Sequence, residues 1–149
     1  MKNLMFTLLF ATLGLLAFLP TSKKLSSPID GAWEFFSTES GGKTTFHKKP
    51  RQIKVYCDGY YCMMGYDSTG TFRYAGAGTY ELEGNKYKET YLYYSAPVYL
   101  GTSIWFDWAM SGDTLLFYGY KKVTKADGTD VTKDWGGDSK IEKKVRVKK

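Results

Sequence analysis

Glu89 is the residue that points most directly to chemistry, because the pattern around it predicts a carboxylate inside the fold. Gly84-Asn85 separates two runs of alternating residues, which is typical of a two-residue β-hairpin turn. With that turn, Glu81 pairs with Lys88 on a polar outer face, and Glu89 lies opposite Tyr80 on the inner face. We therefore expect Glu89 to be buried.

The expected burial of Glu89 requires a partner, since a buried carboxylate is costly unless it is paired and hydrogen-bonded. Arg73, Tyr80 and Tyr91 are the candidates nearest in the predicted sheet. Two roles stay open for Glu89. It could anchor the polar group of a ligand, with help from Tyr80 and Arg73, or it could form a structural ion pair.

A second hairpin is predicted at Asp58-Gly59, between the runs Gln52–Cys57 and Tyr60–Tyr66. We expect the more apolar face to be buried, with Lys54 and its face outward. The expected inner set is Ile53, Val55, Cys57, Tyr60, Cys62 and Met64. The two cysteines are then diagonal neighbours, roughly 7–8 Å apart, which favours buried thiols over a disulfide. A longer, bulged turn would reverse that preference.

Large apolar side chains could form the wall of a pocket. The candidates are Tyr60, Met64, Phe106 and Trp108. Methionine and aromatic residues suit adaptable apolar sites. The same residues could equally fill a solid core, because a small closed sheet can be packed by its own side chains. Both alternatives stay open.

Catalysis and metal binding have little support in the sequence. His47, the single histidine, lies in a basic turn before Pro50, where we expect it to be solvated. Two cysteines supply too few ligands for a metal site. Gly76-Ala77-Gly78 is not followed by the helix that a phosphate-binding loop needs. We therefore expect a protein that is not an enzyme and that has no metal and no cofactor.

The elements that must position these residues are strands. Of the 149 residues, 43% are apolar, which excludes global disorder. Alternation along the chain, with almost no helical periodicity, predicts an all-β domain of about eight to ten antiparallel strands joined by short turns. Further strands are expected over residues 33–38, 103–110, 114–120 and 140–147, and an irregular segment over 125–138. The regular spacing indicates a meander closed into a barrel, or a sandwich.

Gly31-Ala32-Trp33 stands at the start of this meander. It resembles the Gly-x-Trp signature that opens the first strand of lipocalins. The segments 52–61, 75–80 and 87–89 fit the same pattern, and the chain looks like a small lipocalin-like (calycin) protein of the exported kind common in Bacteroidetes-type bacteria. The resemblance implies a β-barrel in which Trp33 plugs one end and an arginine of the last strand packs across it. Arg146 is the candidate, with Lys144 on the same face.

The two ends of the chain suggest where the protein acts. Residues 1–22 have the basic start and short apolar run of a secretory signal peptide, with an uncleaved anchor as the alternative. We expect export to the periplasm or beyond, and one mature domain over residues 23–149. The run of basic residues after position 139 favours a solubilising edge or terminal strand with lysines outward. They could make weak contact with an anionic membrane surface, but no aromatic residues interleave with them, which argues against nucleic acid.

These features predict an exported binding protein: a monomer that holds a small hydrophobic molecule inside a β-barrel. Polar groups of the ligand would meet Glu89, Tyr80 and Arg73, and its apolar part would meet Tyr60, Met64, Phe106 and Trp108. The alternative is a solid-core barrel that acts through its surface, on envelope proteins or on an anionic surface.

Overall fold

The computed structural model of the protein describes residues 27–47 and 51–148. The segment predicted to be a signal peptide, residues 1–22, lies outside these ranges. The described strands are β1 (Gly31–Ser40), β2 (Lys43–Phe46), β3 (Gln52–Cys57), β4 (Tyr60–Tyr66), β5 (Phe72–Glu83), β6 (Lys86–Tyr94), β7 (Ser103–Ser111), β8 (Thr114–Thr124) and β9 (Lys140–Arg146). Among the described residues, no helix is both long enough and apolar enough to cross a membrane.

The strands form one antiparallel sheet that closes on itself. Neighbours along the chain pair from β3 to β9, and β9 returns to pair with β1. β1 is shared between two partners on its other edge. Its first half, Gly31 to Glu34, pairs with β3, and its second half, Ser37 to Ser40, pairs with β2. The result is a closed eight-stranded barrel with β2 outside it, which confirms the all-β barrel prediction; β2 itself was not predicted.

Both predicted hairpins have the expected register. Tyr80 lies opposite Glu89 and Glu81 opposite Lys88 across β5 and β6. Cys57 lies opposite Tyr60 across β3 and β4. Asp58 and Gly59 in that turn have φ angles of 52° and 82°. Positive φ at both central residues is what a twisted two-residue hairpin demands.

The face assignment of the β3–β4 hairpin was wrong. Tyr56, Tyr61, Met63 and Lys54 are buried, and the set expected inside lies largely on the outer surface. The reason is the pairing with β1, in which Lys54 is opposite the fully buried Trp33. Residues directly opposite in an antiparallel pair share a face, so Lys54 and its alternating neighbours must point inward.

Two bulges shift which side chains enter the barrel. Between β5 and β6, Gly78 pairs with Tyr91 and Ala77 with Tyr93, so the residue between the two tyrosines is extra. Residues three apart in a regular strand face opposite sides of the sheet. Because of the extra residue, Tyr91 and Tyr94 both face inward. In β8 the extra length around Gly119, which has a φ of 62°, brings Tyr120 inside. Bulges re-aim side chains in this way.

One end of the barrel is sealed around Trp33. Its indole Nε1 donates to the carbonyl of Ile29 at 2.7 Å, and both residues are fully buried. The guanidinium of Arg146 lies 4.2 Å from the centre of the Trp33 ring and donates to the carbonyl of Asp30 at 2.8 Å. The contact implied by the lipocalin resemblance is therefore present. The opposite end carries the 3₁₀ turns Pro97–Tyr99 and Thr132–Trp135.

Candidate functional site

A cavity of about 350 Å³ occupies the barrel interior toward the end that carries the 3₁₀ turns. This volume is near the lower bound of roughly 300–1,000 Å³ for small-molecule sites. Aromatic rings form most of its wall, among them Tyr74, Tyr87, Tyr91, Tyr94, Tyr120 and Trp135. The interior is therefore not filled solid by its own side chains.

The cavity also contains five lysine and glutamate side chains, Lys54, Glu89, Lys140, Glu142 and Lys144. Three are lysines and two are glutamates, so the fully ionised set carries one excess positive charge. Charged groups away from water must be paired to be tolerated. They are arranged as two ion-paired clusters.

The first cluster is a buried pair between Lys54 and Glu89. The Lys54 ammonium donates to Glu89 Oε2, and the Tyr87 hydroxyl donates to the same oxygen. The ammonium also lies 4.0 Å from the centre of the Tyr61 ring, a cation–π geometry. Burial lowers the pKa of Lys54, and the adjacent Glu89 carboxylate opposes that change. Glu89 is thus inside as predicted, but its partners are Lys54 and Tyr87 rather than Arg73, Tyr80 or Tyr91.

The second cluster surrounds Glu142. Lys144 Nζ lies 3.2 Å from one carboxylate oxygen, and Lys140 Nζ lies 3.4 Å from the other. Tyr120 donates to the carboxylate at 3.2 Å, and Lys144 donates to Gln52 Oε1 at 2.9 Å. Burial alone would raise the pKa of Glu142, but the attraction of Lys144 and Lys140 outweighs it and holds the pKa at about 2. Glu142 is therefore ionised at neutral pH.

A row of contacting aromatic rings, of which Tyr91 and Tyr94 are stacked and the other pairs meet edge to face, leads from the cavity to its open end. The centres of Tyr94 and Tyr91 are 5.1 Å apart, those of Tyr94 and Tyr99 are 5.0 Å apart, and those of Tyr99 and Trp135 are 5.7 Å apart. Gly76 makes room for this row, because a Cβ there would lie 2.8 Å from the Tyr94 ring. Burial raises the pKa of Tyr94 to about 12, so its hydroxyl stays neutral and can donate a hydrogen bond.

The predicted polar residues are not all brought together. Tyr80 is buried, but its hydroxyl donates to Asp30 Oδ1 at 2.8 Å near the sealed end, away from Glu89. Arg73 is exposed and forms an ion pair with Asp67 at 2.8 Å. Of the three predicted polar residues, only Glu89 lines the cavity.

The predicted apolar residues are divided in the same way. Phe106 lines the cavity. Trp108 packs at the edge of the core and donates its indole N–H to the carbonyl of Gly84 at 3.1 Å. Tyr60 and Met64 are 61% and 44% exposed, on the outer face of β4. They belong to the outer surface of the barrel and not to the cavity.

Sequence reasoning missed Gln52, Lys54, Lys140, Glu142 and Lys144 as cavity residues. A terminal strand with lysines outward was expected, although Lys144 was placed on the same face as Arg146. Lys140 and Lys144 both point inward. Positions 140, 142 and 144 alternate with the outer face and share the parity of Arg146, which reaches Trp33 inside the barrel, so the same argument could have been extended to Lys140 and Glu142.

The remaining candidates for chemistry are structural or exposed. Cys57 and Cys62 are free and exposed, so the expectation of buried thiols was wrong. His47 is partly buried rather than solvated, because its ring stacks on Phe35 with centres 5.0 Å apart and hydrogen-bonds Thr38 Oγ1 at 3.1 Å. Within the described residues, no group of three or more His, Cys, Asp or Glu side chains is placed to hold a metal ion.

Comparison with known proteins places the fold among lipocalin-like barrels. A lipocalin-like protein from Bacteroides uniformis matches with a TM-score of 0.54 and 11% identity, over 79% of this chain and 97% of the other. An uncharacterized protein from Bacteroides eggerthii matches with a TM-score of 0.52 and 10% identity, over 79% and 98%. No protein-family model matches the sequence. No curated protein matches it significantly. At these identities the likeness concerns the fold alone, which is lipocalin-like.

Proposed function

We propose that this protein binds a small molecule inside its barrel, as an exported, monomeric, non-enzymatic binding protein. The observation that carries the proposal is the cavity of about 350 Å³, walled by aromatic rings and open toward the 3₁₀ turns. Concave, largely pre-formed sites with a few convergent polar groups are typical of ligand binding. The signal-peptide pattern of residues 1–22 supports export.

The polarity of the cavity changes the expected ligand. The sequence pattern predicted a small hydrophobic molecule with a polar group near Glu89, but two clusters of paired charges stand among the rings. A molecule with an aromatic or apolar body and at least one polar group fits these walls better. Binding rather than catalysis is favoured because Glu142, with its pKa held at about 2 by two lysines, is a weak base at neutral pH.

The solid-core alternative requires an interior filled by side chains, and the cavity argues against that part of it. The other part of this alternative, binding to an anionic surface through the basic C-terminal residues, also loses support. Lys140, Lys144 and Arg146 of the basic tail are engaged inside or at the sealed end. We therefore do not propose contact with an anionic surface as the main function.

Two fluorescent probes with the same aromatic body test interior binding. N-phenyl-1-naphthylamine is uncharged, and 8-anilino-1-naphthalenesulfonate carries one sulfonate. We expect at least one of them to bind the wild-type protein, and the Ile104→Trp variant to abolish that binding because Ile104 lines the cavity and is buried. Val55→Trp, on the exposed face of β3, is the matched control and should bind as the wild type does.

Two results would refute interior binding. One is that neither probe binds the folded wild-type protein. The other is that Ile104→Trp binds as tightly as the wild type, since the probe would then sit on the outer apolar surface that contains Tyr60, Met64 and Tyr93.

A further inference from the structure

We propose, on the basis of the ligand-binding function above, that the ligand carries an anionic group that binds Lys140 and Lys144. The first reason is the charge of the cavity. Its lysines exceed its glutamates by one, and both carboxylates are already held by lysines. A neutral acceptor can take a hydrogen bond from an ammonium group, whereas an anionic acceptor takes the hydrogen bond and also compensates the charge.

The second reason is the spare hydrogen-bonding capacity of these lysines. Each ammonium group has three N–H donors. Among the described residues, Lys140 Nζ has two acceptors, Tyr120 and Glu142, and Lys144 Nζ has two, Gln52 and Glu142. The two ammonium groups meet at the two oxygens of one carboxylate, so they are close enough to hold a single anionic group between them.

The third reason is access. The side chain of Lys140 is 33% exposed, whereas those of Lys144 and Lys54 are 4% and 5% exposed. Lys140 therefore stands where the cavity meets solvent, and it is the first charge that an entering molecule would encounter. The row of rings from Tyr94 through Tyr99 to Trp135 adjoins it. The arrangement fits a compact aromatic or apolar molecule with one anionic group.

The charged and uncharged probes named above test this directly, because they differ by the sulfonate. We expect the sulfonate probe to bind the wild-type protein at least tenfold more tightly. Lys140→Gln should weaken the sulfonate probe about tenfold, the effect of one charged hydrogen bond at a partly exposed site. The affinity of the uncharged probe should change less than about twofold.

Lys143→Gln is the matched control, because it removes the same charge from the neighbouring outer face. Its ammonium lies over the exposed Phe36 ring, 5.3 Å from the centre. We expect both probes to bind this variant as they bind the wild type. Raising the salt concentration should weaken the sulfonate probe in the wild type more than in Lys140→Gln.

Three outcomes would overturn the proposal in distinguishable ways. If the uncharged probe binds as tightly as the sulfonate probe, interior binding stands and the preference for an anion is wrong. If Lys143→Gln weakens the sulfonate probe as much as Lys140→Gln does, the attraction belongs to the surface. If neither probe binds the wild type, the proposed function fails and this inference fails with it.

Discussion

The Lys54–Glu89 pair gives the sharpest prediction about stability. Glu89→Gln removes the carboxylate charge but keeps a side-chain oxygen that can accept the Tyr87 hydrogen bond. The Lys54 ammonium is then left among aromatic rings, 4.0 Å from the centre of Tyr61, with no carboxylate against it. Burial lowers the Lys54 pKa, and the positive charge of Lys144 lowers it as well.

The expected loss follows from the burial of both partners, which are each 4% exposed. Breaking a buried pair by removing one partner costs about 3–5 kcal/mol. For a domain of this size that loss lowers Tm by roughly 10–20 °C. Removing both charges, in Lys54→Met/Glu89→Gln, should recover stability to within about 1 kcal/mol of the wild type, because no unpaired charge remains.

Urea unfolding followed by circular dichroism gives the free energy of unfolding of the wild type, the two single variants and the double variant, which together form a double-mutant cycle. The coupling energy between Lys54 and Glu89 should be about 3 kcal/mol or more. The control cycle uses Glu81 and Lys88, an exposed pair at 3.3 Å on the outer face of the neighbouring hairpin. Its coupling should stay below about 1 kcal/mol.

The pH dependence of Glu89→Gln supplies an independent readout. Without the carboxylate, burial lowers the Lys54 pKa further below the unfolded value of 10.5. The unfolded chain then binds more protons than the folded chain, so stability rises with pH up to the unfolded pKa. Equal coupling in the two cycles, together with a flat profile for Glu89→Gln above pH 7, would refute the buried ion pair.

Three further predictions concern Glu142, the sealed end and the thiols. The pKa of Glu142 is about 2 in the folded protein against 4.5 in the unfolded chain, so its ionisation stabilises the fold by about 3 kcal/mol above pH 4.5. This stabilisation is lost as the pH falls toward 2. The free energy of unfolding, measured against pH, should therefore fall less steeply between pH 4.5 and 2 in Glu142→Gln than in the wild type. Arg146→Ala should lower the free energy of unfolding by about 2 kcal/mol, through the lost ring contact and hydrogen bond, whereas the exposed Lys148→Ala should change it by less than about 0.5 kcal/mol. Cys57 and Cys62 should both react rapidly with a thiol reagent in the native protein, and protection of either until unfolding would contradict their exposure.

The β5–β6 hairpin could be predicted from sequence because its determinants are local. Gly84-Asn85 fixes the turn, and Glu81 opposite Lys88 fixes the outer face. Glu89 then had to lie inside. Every step depends on residues within about one strand length of each other, where turn chemistry and period-two alternation are reliable guides.

The inward face of β3 could not be predicted from hydrophobicity alone. Ile53 and Val55 are more apolar than Lys54, yet Lys54 is buried, because its charge is paired with a carboxylate 35 positions away. Such a partner becomes visible only once the strand order is known. The pairing of Lys54 with Trp33 across β1 and β3 carries that information, and it is itself a contact between distant segments.

The cavity was predicted only in part for a related reason. The Gln52–Lys144 hydrogen bond joins residues 92 positions apart across the closure of the barrel. In addition, the bulges in β6 and β8 interrupt alternation, so Tyr94 and Tyr120 enter the interior at positions that a strict two-residue period assigns elsewhere.

The seal formed by Trp33, Ile29 and Arg146 has a kinetic consequence for a molecule held in the barrel. With that end closed, arrival and departure take the same route past Tyr99 and Trp135. A substitution that narrows or widens this passage without touching the bound molecule changes one barrier that is crossed in both directions. The association and dissociation rate constants then change by the same factor, and residence time can be tuned while Kd stays constant.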